Sequence, residues 1–117
     1  MSKTHPLFAE RCGDAWEFTG PLNDNSGNPL PLTGATITWK LDSLDLATNY
    51  LTLTLGFGIT VTDTATATVE YGPTAAQTAG LIPGTYYDTL SVTLSSGNGG
   101  GTFTCIEGLI NVAPAPA

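Results

Sequence analysis

The stretch Ala35-Thr36-Ile37-Thr38-Trp39-Lys40-Leu41 decides the fold. Apolar side chains at 35, 37, 39 and 41 alternate with polar ones at 36, 38 and 40. That is the period of a half-buried β-strand, not of a helix. The same alternation returns on both sides of it. Tyr50 to Leu55 sets Leu51, Leu53 and Leu55 against Thr52 and Thr54, and Thr64 to Tyr71 sets Ala65, Ala67, Val69 and Tyr71 against three threonines and Glu70. Thr85 to Leu94 puts Tyr86, Leu90, Val92 and Leu94 on one face. Asp88 shares that inward parity, so it must sit at the mouth of the core or find a partner. Cys12 to Phe18 reads as an earlier strand with Trp16 and Phe18 turned inward, bent or broken at Gly20-Pro21. Thr102 to Ile106 turns Phe103 and Cys105 inward, Glu107-Gly108 shifts the register as a bulge would, and Leu109 to Val112 closes the chain's β pattern.

Turn chemistry separates these runs: NDNSGN at 23–28, Thr33-Gly34, the glycines flanking Phe57, Pro83-Gly84 and SSGNGGG at 95–101. PTAAQTA at 73–79 predicts one helical turn. The result is seven or eight short strands in roughly 100 residues, the pattern of an immunoglobulin-like antiparallel β-sandwich. A small barrel is the alternative. The expected organisation is all-β and single-domain: an N-terminal arm over 1–11, the sandwich over 12–112, and a Pro/Ala-rich tail over 113–117. The predicted core contains Trp16, Phe18, Ile37, Trp39, Leu51, Leu53, Val69, Tyr86, Leu90, Val92 and Phe103.

Composition agrees. The 117 residues include twenty threonines, and charged residues make up only 11%, so β-branched, uncharged side chains supply much of the polar surface. Ten acids face three bases (Lys3, Arg11 and Lys40), for a net charge of -7. Nucleic-acid binding needs cations to neutralise phosphates, and an anionic membrane surface repels such a chain; neither partner is expected. No apolar run reaches the ~18 residues of a membrane span, and residues 1–6 do not read as a leader. The expectation is synthesis in the cytoplasm, with exit only inside a larger particle.

No catalytic, metal or cofactor residue emerges. His5 is the only imidazole and falls in the arm. Pairing it with Cys12 or Cys105 would make a formal thiol nucleophile, but two small buried thiols is the simpler reading. A Cys12–Cys105 disulfide is sterically open, and cytosolic synthesis favours free thiols. Asp42 and Asp45 belong to a solvated loop. NDNSGN lacks the Glu a calcium loop carries six residues after its Gly; Thr33 stands there. Trp16 and Trp39 have core parity, which argues against an aromatic sugar platform. Tyr50 and Tyr87 have outward parity. With Leu7 and Phe8 of the arm, they are the candidate partner-binding residues.

The order of GDAWEF, NDNSGNPLPLTGATITWKL, TVTDTATATVEY, AAQTAGLIPGTYYDTLSVTLSSG and TFTCIEGLINV resembles the immunoglobulin-like domain at the N-terminus of phage baseplate upper proteins and of related small phage and prophage tail-region proteins. The resemblance covers about Gly13 to Val112 and rests on turns and core positions. It implies a non-enzymatic virion structural protein, made in the host bacterial cytoplasm. Such a protein docks in several copies, or as a homo-oligomer, onto other phage proteins at the tail, baseplate or neck, or decorates the capsid. It implies no cofactor. A carbohydrate- or host-surface-binding module is the alternative. Baseplate upper proteins carry further C-terminal regions, whereas here only APAPA follows the domain, so the docking module alone is expected.

Overall fold

A computed structural model describes residues 3–24 and 26–115. Met1 and Ser2 of the expected arm, Asn25 of the turn cluster, and Pro116 and Ala117 of the tail lie outside the described residues. The chain folds as one all-β domain. Its elements are β1 (Lys3–Thr4), β2 (Phe8–Arg11), β3 (Phe18–Pro21), β4 (Thr36–Asp42), β5 (Asn49–Leu55), β6 (Gly58–Asp63), β7 (Thr68–Tyr71), α1 (Ala75–Thr78), β8 (Gly84–Thr93) and β9 (Thr102–Ala113). The strands form one mixed sheet in the order β1-β9-β8-β4-β5-β6-β7-β3, with β2 also on β9. The sheet curls into a half-barrel whose two ends touch through side chains: Phe8 of β2 and Phe18 of β3 stack with ring centroids 5.1 Å apart.

Two expectations are overturned by this topology. The strands are not all antiparallel, because β1 and β2 run parallel to β9 and β5 touches β6 in parallel at Thr54↔Gly58 and Leu55↔Ile59. Nor is the segment before Cys12 an unpaired arm. Thr4 lies opposite Glu107 and Phe8 opposite Ile110, so β1 and β2 are one edge strand with an extra residue at the His5-Pro6-Leu7 kink. Pro6 has no N–H to give, which suits it to an edge.

The alternating β4 is as its pattern dictates: Ile37, Trp39 and Leu41 are fully buried. Trp16, Phe18, Leu53, Val69, Tyr86, Leu90 and Val92 are buried as expected, and Leu51 is half-buried. Phe103 is not a core residue; it is 37% exposed. The register shift falls earlier than the sequence suggests. Leu90 pairs with Ile106 but Ser91 with Thr104, so Cys105 is the extra residue, while Glu107 and Gly108 pair regularly. Downstream of that bulge the inward set becomes Ile106, Ile110 and Val112, and Phe103 is left at the open end beside the glycine-rich hairpin.

The first predicted strand also starts late. Cys12 to Glu17 is turn and coil, and β3 begins at Phe18 and passes through Gly20-Pro21. Gly20 is tolerated because Ile106 crosses it; a Cβ there would sit 3.3 Å from Ile106 Cδ1. Thr74 opens α1 with a capping box, accepting from Gln77 N–H while the Gln77 side chain accepts from the Thr74 N–H.

Cys12 and Cys105 are buried and unlinked. Cys12 N–H donates to Ala113 O, while Cys105 lies eight residues back along β9. That places the two thiols roughly 26 Å apart along the strand, far beyond disulfide reach. Intact mass after alkylation is therefore expected to be unchanged by reductant. Burial pushes the Cys105 thiol up to about 11 from 9.0. It also holds the Tyr71 hydroxyl well above its ordinary range, with the Asp88 charge adding to the effect. The fold keeps these protons where the unfolded chain sheds them, so the folded state binds more protons and stability falls as pH rises past the unfolded thiol's value of 9.0. A melting temperature unchanged between about pH 8 and about pH 10.5 would contradict that sign.

Candidate functional site

The N-terminal end of the sheet builds a buried polar cluster in the core. β1 ends at Thr4, and the His5 N–H continues the ladder by donating to Glu107 O at 2.9 Å. The His5 side chain then reaches inward across β9 to Asp88 of β8. Gly108, opposite Asp88 in register, makes this reach feasible: a Cβ at 108 would lie 2.5–2.7 Å from three atoms of the His5 ring. His5 Nε2 hydrogen-bonds Asp88 Oδ1, and Trp39 Nε1–H donates to Asp88 Oδ2 at 3.0 Å. His5 and Asp88 are 8% and 1% exposed. The His5 ring stacks flat on Phe8 at 3.9 Å, and Phe8 stacks on Phe18.

Burial raises the proton affinity of the Asp88 carboxyl, and the Trp39 and His5 hydrogen bonds oppose the rise. The geometry limits how protons are shared. His5 Nδ1 faces the Pro6 carbonyl at 2.6 Å, which only accepts, so Nδ1 carries a hydrogen. The contact to Asp88 is then either imidazolium with carboxylate, or neutral imidazole with carboxylic acid; both are neutral as a pair. Neither ring nitrogen is left free to take a proton from a nucleophile. The cluster therefore clamps the N-terminal strand onto β8 and β4.

Gly108→Ala tests the clamp. Its methyl displaces the His5 ring, and the expected loss is about 1–3 kcal/mol in urea unfolding. Amide exchange should quicken in Phe8–Arg11 while the β4–β8 ladder stays protected; uniform quickening would contradict the local role.

Outside the clamp lies a trough along β3. A groove of about 410 Å³ between the two sheet ends is walled by Pro6, Phe8, Phe18, Pro21 and Ile106. A shallower one of about 710 Å³ continues past Trp16, Tyr71 and Pro73. Both include Glu17, Phe18, Thr19 and Tyr71. Glu10 and Glu17 border the first and Glu70 the second; among the described residues no Lys or Arg lines either. Partial burial and the nearby Asp14 charge raise the Glu10 carboxyl.

The four residues expected to bind partners do not converge. Leu7 is 63% exposed at the kink. Phe8 is turned into the molecule's own seam. Tyr50 is the extra residue of a bulge, since Leu41 pairs with Leu51 and Asp42 with Asn49. The bulge swings it onto the inward-facing Tyr86, with centroids 5.0 Å apart. Tyr87 lies on the opposite face of β8, beside Glu107. His5, Asp88, Gly108, Glu10 and Glu17 do not stand out as site residues from sequence. The inward parity of Asp88 is the available signal, because a buried carboxylate needs an N–H partner and the chain has one imidazole.

No family model matches this sequence, and no curated protein matches it closely enough to count as a relative.

Proposed function

We propose that this protein is an immunoglobulin-like module that works by attachment, as a structural component of a phage or prophage particle, and not as an enzyme. Strand order supports the finer fold reading. β3-β7-β6 corresponds to the B-E-D sheet of such domains and β9-β8-β4-β5 to G-F-C with the added C′ strand; the short β5–β6 contact stitches the two layers into one curled sheet. Trp39 takes the place of the buried strand-C tryptophan, and packs across the layers on Phe18 and Tyr71 at 6.3 and 6.4 Å. Tyr86 donates its hydroxyl to Ile82 O at the corner entering β8, as a tyrosine corner does. Two residues on, where antibody domains carry their second cysteine, stands Asp88, clamped by His5.

One observation carries the attachment reading. The only buried acid–imidazole pair among the described residues has both ring nitrogens committed, while an open trough and two sheet ends face outward. The placement in a particle comes from the sequence resemblance. The glycan alternative has less behind it, because Tyr50 and Tyr87 share no platform. Mass spectrometry of particles purified from cells carrying the gene tests the reading: the chain should be present at a fixed multiple of the other particle proteins. Particles complete without it would overturn the proposal.

A further inference from the structure

We infer that the trough along β3 takes an extended, lysine- or arginine-bearing segment of a partner protein. This rests on the attachment reading and names the partner's chemistry. Three observations lead there. First, β3 pairs only with β7, and β2 only with β9, so each has a free edge on the trough. A free edge is recognised by extended backbone, which supplies the missing hydrogen bonds. Second, the floor is apolar and aromatic: Phe8 and Phe18 lie stacked beneath it, with Ile106 and Tyr71 beside them. Alternate side chains of an added strand would rest there, and a cation would meet ring faces as well as carboxylates.

Third, the charge on the rim is of one sign. Glu10, Glu17 and Glu70 surround the trough, and among the described residues none of them has a cationic partner, since the single ion pair is His5–Asp88. Glu10 is held partly out of water next to Asp14, so its carboxyl is raised; an incoming ammonium or guanidinium would relieve that repulsion. An acidic segment, or a phosphate backbone, would meet repulsion instead. Arg11 donates to Pro114 O at 3.1 Å, and Lys40 sits on β4.

The test uses the full chain and three probes: a short peptide of alternating Val and Lys, the same peptide with Glu for Lys, and spermidine. Binding is followed by amide chemical shifts. The Val–Lys peptide should bind, with shifts concentrated in Phe8–Arg11 and Phe18–Gly20. The Val–Glu peptide should not bind, and spermidine, a cation without a backbone, should bind more weakly. Glu10→Gln with Glu17→Gln should weaken Val–Lys binding about tenfold, the worth of two charge pairs near the surface. Thr19→Arg, at an exposed position, should abolish it with melting unchanged. Equal binding of the two peptides, spermidine binding as tightly as Val–Lys, shifts elsewhere on the molecule, or unaltered affinity in both variants would overturn the inference. A chain that ignores the Val–Lys peptide yet is found in purified particles sinks this inference and leaves the attachment reading standing.

Discussion

Replacing Asp88 with alanine is expected to remove about 3–5 kcal/mol of folding stability, a large part of what a small domain holds. The carboxyl group is 1% exposed, accepts from Trp39 and shares a proton with His5. Alanine leaves the Trp39 N–H and the His5 Nε2 buried without a partner, with a void beneath the first strand, and unpaired buried polar groups cost more than the bond itself was worth. The loss should appear as a lower urea midpoint. His5→Ala on its own should cost about 2–3 kcal/mol by stranding the carboxylate, and much less once Asp88 is already gone. A double-mutant cycle of His5 and Asp88 should therefore be strongly non-additive. Additive losses would mean that the two residues act independently and that no clamp exists.

Gly72→Ala is expected to be as damaging, for a different reason. A Cβ at 72 would lie 1.8 Å from the Trp16 carbonyl oxygen and 2.7 Å from its carbon, and the residue has φ of +158°. The obstacle is backbone, held in place because Trp16 N–H donates to Pro73 O at 3.1 Å, so a side chain cannot simply rotate away. The expected loss is about 3 kcal/mol or more, enough to reduce soluble yield and drop the melting temperature by at least ten degrees or so. Gly80→Ala is the control: its Cβ would meet nothing within 4 Å, and its melting temperature should stay within a degree or two. Equal behaviour of the two variants would contradict the packing described at the β7–α1 corner.

The sequence is most informative where one face is buried and the other wet. β4 can be read residue by residue because strict alternation leaves one register that hides Ile37, Trp39 and Leu41. It is least informative where an extra residue enters a ladder. A single unpaired residue at Cys105 or Tyr50 reverses the parity of the residues beyond it or swings one side chain across the sheet, and nothing local in either stretch announces it. Tyr50 departs from its expected face for that reason, whereas Phe103 keeps its inward parity opposite buried Val92 and is exposed by its place at the open end. The segment before Cys12 escapes notice because its pairing is parallel and over 100 residues distant along the chain. Its strands of two and four residues are too short for alternation to register. The clamp itself is half legible: an inward Asp88 declares a need, but only the fold shows that Gly108 leaves room for His5 to meet it.

If the outer trough, and not the buried clamp, is where the protein meets its partner in a particle, then Thr19 on its exposed lip lies at the contact. A photo-crosslinking amino acid at Thr19 tests this most directly when the variant is made in cells that produce particles. The expected result is an irradiation-dependent adduct between this chain and another particle protein in the purified particles, and a much weaker one when the crosslinker is moved to exposed Thr64. Equal adducts at both sites, or particles that assemble fully with the protein left behind in the lysate, would contradict it.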